Sequence, residues 1–181
     1  MVAVFDGPDR GDSFAERSFA DAAATDLEAS VKKVGDVASG ALSPDALEAH
    51  AVRILRSSDR LHAEAASLLA AADEARVAKR RSLSAHFANL LGTSSSAIAP
   101  LRTLGLWLRH FCGFADAWKI GTLSEPHVRE LKKLDNGRTN HALKRDQHLF
   151  IEWAQTLEWT DWLKAIAYWL LAADPAVRFA H

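Results

Sequence analysis

The chain has 181 residues, 49% of them hydrophobic and 25% charged, with a formal net charge of −1 and one cysteine. That length allows one domain with a sizeable core. The near-neutral charge excludes a uniformly basic nucleic-acid binder, and the lone Cys112 excludes an internal disulfide and a Cys-x-x-Cys metal knuckle. The longest apolar run, Ala165 to Ala173, is too short to span a bilayer. The N-terminal MVAVFDGPDRGDS lacks the basic start and apolar core of a signal peptide. A cytoplasmic protein with no membrane partner is expected.

Nearly every segment has helical periodicity, and no stretch alternates with the period of a strand, so the expected class is all-α, a multi-helix bundle. The expected organisation is a flexible arm over 1–12, one helical domain over 13–175 and a tail over 176–181. Within the domain a long antiparallel helix pair (13–80) precedes a subdomain of shorter helices (82–175). The first helix runs from Ser13 to about Val37, with Leu27, Val31 and Val34 along one side, and Gly40 stops it. Ser43 and Pro44 open the second as a capping hydroxyl and a first-turn proline. From Leu47 this helix carries Ala51, Ile54, Ser58, Leu61, Ala65, Leu68 and Ala72 at alternating four- and three-residue steps. That is a heptad seam with small residues in one position and Leu or Ile in the other. Its expected partner is the preceding helix or, as the alternative, a second copy of the chain in a homodimer.

The segment SLSAHFANLLGTSSSAIAPLRTL, from Ser82 to Leu104, fits a helix-turn-helix within 82–111. Ala88 is the small residue where two helices cross, Gly92 takes the left-handed turn, and Ile98 and Leu101 pack the second helix on the first. Phe87 and Leu91 supply the apolar face of the first helix. Pro100 conflicts with a second helix capped by Ser94, since a proline in its interior removes a hydrogen bond. The helix is expected either to kink or to start nearer Ala97. Further on, Ser124, Glu125 and Pro126 open a helix through Leu134, and two more run over Asn140 to Thr156 and Thr160 to Ala173, ended by Asp174 and Pro175. Trp162, Ile166, Trp169 and Leu170 fall at core spacing, which reads as packing rather than as a base-stacking platform.

Charge is unevenly spread. Residues 1–74 hold fourteen acidic and seven basic side chains, whereas residues 75–115 hold six basic ones and no acid. The helix-turn-helix candidate lies in this acid-free block. Lys79, Arg80, Arg81, Arg102 and Arg109 are therefore the candidate phosphate contacts, with the hydroxyls of Ser94, Ser95 and Ser96 to position the backbone. Catalytic patterns are missing: there is no phosphate loop, no nucleophile elbow and no His-Glu-x-x-His. His141 and His148, seven apart on one expected helix face, stand about 10 Å apart along the axis, too far for one ion. No catalytic residue, metal or cofactor is assigned.

Four segments resemble a known family. They are RSLSAHFANLLG from Arg81, GTLSEPHVREL from Gly121, NGRTNHALKRDQ from Asn136 and WAQTLEWTDWLKAIAYWLLAADP from Trp153. The chain resembles, collinearly from about Leu42 to Pro175, the mainly actinobacterial domain-of-unknown-function family 222, found N-terminal to HNH endonuclease domains. The resemblance implies a helical domain of mobile-element or phage-related HNH proteins, associated with double-stranded DNA. The nuclease motif of longer members follows the Asp-Pro that ends the match, so no nuclease residue carries over and the expected function is non-catalytic. Relatives are arginine-rich near Ser96, where this chain has Ala97, Ile98, Ala99 and Pro100, which points to backbone contact rather than base reading.

Overall fold

In the computed structural model, which describes residues 10–36, 42–75 and 82–174, all regular structure is helical and no strand occurs among the described residues. The chain divides into two units, Met1–His50 and Ala51–His181, with the boundary inside the second helix.

The first unit contains α1 (Arg10–Gly35) and the opening turns of α2 (Pro44–Ala75). Helix α1 starts three residues ahead of the expected Ser13, so Arg10 to Asp12 are helical rather than part of an arm. At the other end Lys32 and Lys33 occupy the last turn, where cations are favoured. Helix α2 begins as its sequence predicts. Pro44 is its first residue, and the Ala46 N–H donates to Ser43 Oγ at 3.3 Å.

The second unit holds the rest of α2, then α3 (Leu83–Leu91), α4 (Ser95–Leu108), α5 (Cys112–Ile120) and α6 (Glu125–Leu134). It closes with α7 (Asn140–Arg145), α8 (Gln147–Thr156) and α9 (Trp159–Ala173). Phe114, Trp118, Val128, Leu131, Phe150 and Trp162 are each wholly buried in its core. Burying a side chain of this size contributes about 1.5–3 kcal/mol. Four tryptophan N–H groups are satisfied on the way in: Trp107 by Asp135, Trp118 by Asp59, Trp169 by Asp146 and Trp162 by the Phe150 carbonyl. The tryptophans of the C-terminal half thus include core members, as their spacing predicts.

Helix α2 docks on this core through small residues. Ala63, Ala66 and Ala70 are buried, and Gly105 of α4 lies against Ala66 and Ala70. A Cβ at Gly105 would stand 1.9 Å from the Ala66 carbonyl oxygen, so the two backbones touch only because that position is glycine. The heptad seam occupies a different face. Ile54, Leu61 and Leu68 remain 39%, 41% and 70% exposed.

Two elements differ from expectation. The helix expected over Asn140–Thr156 is broken at Asp146, which ends α7 and precedes α8 with φ −96° and ψ 12°. Its buried carboxylate accepts from Trp169 Nε1 at 2.9 Å and from both Arg145 Nε and Nη2, a set of bonds that anchors the junction against α9. Helix α4, by contrast, starts at Ser95 and runs unbroken to Leu108 with Pro100 inside it. The missing proline N–H leaves the Ser96 carbonyl without its helical partner, at a position where the ring is exposed.

Candidate nucleic-acid interface

Helices α3 and α4 form the expected hairpin. Ser82 Oγ accepts from the Ala85 N–H at 3.4 Å to cap α3, and Gly92 ends it in the left-handed region at φ 62° and ψ 32°. The Gly92 and Thr93 N–H groups both return to the Ala88 carbonyl, so the chain reverses within Gly92, Thr93 and Ser94. Ala88 is buried, and Ile98 and Leu101 are half-buried on the opposing helix. Helices α3 and α4 are neighbours, and Leu101 packs against the main core of the unit. Leu91 departs from its expected role: as the last helical residue before the reversal it overhangs the packed region and is 64% exposed.

The first turn of α4 faces solvent. Ser94, Ser95, Ser96 and Ala97 are exposed, Ser94 makes no side-chain cap, and its hydroxyl instead meets that of Ser96 at 2.8 Å. No acidic residue occupies this turn. The Ser95 and Ser96 N–H groups and the serine hydroxyls therefore present donors at the positive end of the helix dipole, the chemistry that receives a phosphate oxygen, while the Ala97 N–H is given to the Ser94 carbonyl at 3.1 Å.

The arginines behave differently. Arg102 makes a two-pronged pair with Asp73 of α2, Nε to Oδ1 at 2.9 Å and Nη2 to Oδ2 at 2.7 Å, and Arg109 pairs with Glu74. The Arg102 guanidinium holds the Asp73 carboxyl below the usual carboxylate range, and Arg109 does the same for Glu74. Arg102 of α4 and Arg109 just after it are both tied to the end of α2, by carboxylates that immediately precede the acid-free block. Lys79, Arg80 and Arg81 lie outside the described residues.

Many cations of this unit are paired, although Lys132 and Lys144 have no carboxylate within ion-pair distance among the described residues. Lys119 meets Glu64, Arg129 meets Glu125, Lys133 meets Glu130, Arg138 meets Asp174 and Lys164 meets Asp161. The exposed arginines Arg53, Arg56 and Arg60 of α2 likewise have no carboxylate within ion-pair distance among the described residues. Averaging charge over residues 1–74 conceals them. The signal was present locally: the acid-free run Ala49 to Ser58 holds Arg53 and Arg56, and steps of three and four place these two and Arg60, just past Asp59, on one side of a helix.

His141 and His148 are exposed and fall on separate helices, α7 and α8. Among the described residues, no three or more His, Cys, Asp or Glu side chains gather where they could hold a metal ion. No described helix is long and apolar enough to cross a membrane. Comparison with protein-family models, curated proteins and solved structures returns no match to this chain.

Proposed function

We propose that this chain is a non-catalytic, DNA-associated helical domain of the kind that accompanies HNH endonucleases, binding duplex DNA through its backbone rather than by reading bases. The observation that carries the reading is the α3–α4 hairpin with the hydroxyl-bearing first turn of α4 left exposed. A helix start supplies N–H donors to phosphate without sequence preference. The α4 segment that would enter a groove offers Ala97, Ala99 and Pro100, which cannot discriminate base edges by hydrogen bonding. The resemblance of four chain segments to family 222 points the same way.

The reading is tested with a fluorescently labelled duplex of mixed sequence titrated over a salt series. Affinity is expected to fall steeply with salt, and the double variant Ser94→Ala/Ser96→Ala is expected to weaken binding equally across unrelated sequences. Absence of binding at the lowest ionic strength sinks it.

A second reading rests on the α2 seam. Ile54, Leu61 and Leu68, with Ala65 and Ala72 between or beside them, form an exposed apolar face that suits a helix from a second copy of the chain. That reading expects concentration-dependent association in sedimentation, persisting at high salt and lost on Leu61→Glu or Ala65→Glu. A chain that stays monomeric at the highest concentration reached removes it.

A further inference from the structure

We propose that Arg53, Arg56 and Arg60 of α2 form a phosphate-binding stripe that grips one strand of the duplex backbone; the inference rests on the DNA-associated reading and assigns its principal charge contact to α2. Steps of three and four residues put the three side chains on one side of the helix, across about 10.5 Å of axis. One DNA strand carries a phosphate about every 3.4 Å along its axis, so the stripe spans about three phosphate steps.

The surroundings leave this charge uncompensated. Asp59, the acid nearest to Arg56 and Arg60 in the chain, spends its carboxylate on Trp118 Nε1 at 3.1 Å and on the Glu125 N–H at 2.9 Å. Glu64, one turn beyond Arg60, is paired with Lys119 at 3.1 Å. Arg60 also has a prepared place: its guanidinium lies over Gly121, where a Cβ would come within 2.6 Å of Nε. Gly121 ends α5 at φ 85°, so the glycine serves the turn and clears room for the arginine together. Arg102 and Arg109, by contrast, must give up Asp73 and Glu74 before either can meet a phosphate.

The test compares the wild-type chain with the triple variants Arg53→Gln/Arg56→Gln/Arg60→Gln and Arg53→Lys/Arg56→Lys/Arg60→Lys on one labelled duplex. Circular dichroism verifies that the helices are retained. Three phosphate contacts contribute about 2.7 to the slope of log affinity against log salt, so removing them shrinks the loss between 50 and 200 mM salt by about 40-fold. The glutamine variant is expected to show that change, and the lysine variant to keep the wild-type slope. A glutamine variant with the wild-type slope overturns the stripe while leaving the DNA reading in place. Wild-type protein that binds no duplex at the lowest salt overturns both. Polyglutamate that competes as well as DNA, charge for charge, overturns the assignment to phosphate.

Discussion

Gly105 is where one atom decides a helix crossing. A methyl group there would meet the Ala66 carbonyl oxygen at 1.9 Å, its carbon at 2.6 Å and the Ala70 Cβ at 3.2 Å. The first two are backbone atoms and cannot rotate aside, so α2 and α4 must separate. Gly105→Ala is therefore expected to lower stability by about 1–3 kcal/mol, the usual cost of overpacking, despite alanine's better helix propensity. Urea denaturation measures it, and an unchanged midpoint removes this account of the crossing. The sequence carries Gly105 as one glycine in a helical run, with no sign that another backbone lies against it. Gly92 is different, because its small-residue context and apolar flanks indicate a turn before any partner is known.

Element boundaries were legible wherever a cap marks them. Ser43 with Pro44 and Ser124 with Pro126 open α2 and α6 as expected, while the break at Asp146 was hidden because its cause is a tryptophan twenty-three residues away. Helix α4 reverses the usual weight of local rules. It tolerates Pro100 at its sixth position, held by Leu104, Gly105, Trp107 and Leu108, which are buried in the following turns. Tertiary packing overrides a local cost of about 3 kcal/mol. Since the ring is exposed, Pro100→Ala restores an N–H for the Ser96 carbonyl without opening a cavity. The substitution is expected to raise the thermal midpoint by several degrees, corresponding to about 1–3 kcal/mol; a lowered midpoint shows that the proline is itself part of the packing.

Over the whole molecule the all-α class was legible from periodicity alone, whereas the distribution of usable charge was not. Net charge per segment points to Arg102 and passes over Arg53, yet Arg102 is fastened to Asp73 whereas Arg53 has no ion pair among the described residues, a distinction made only by folding. The same pairing sets the acid response. Asp73 and Asp146 have carboxyls held below their ordinary range by Arg102 and Arg145, respectively, with Trp169 adding to the latter. A carboxyl whose folded pKa lies below its unfolded value contributes stability in full above the unfolded value, about 3.9 for aspartate, and loses it as pH falls through the folded one. The contribution of these two pairs is thus expected to hold between about pH 7 and 5 and to fall below about pH 4. Asp73→Asn and Asp146→Asn each lower the neutral-pH midpoint and flatten the acid limb, and an acid limb of undiminished steepness in both variants discounts these pairs.

All six tryptophans, from Trp107 to Trp169, belong to the second unit, and the first unit has none. Trp118 and Trp162 are wholly buried, so their emission shifts red when that unit opens. Ellipticity in the far ultraviolet instead sums helices from both units. Fluorescence and dichroism therefore observe different parts of one chain, and the agreement or separation of their melting curves measures whether residues 1–50 unfold with the rest.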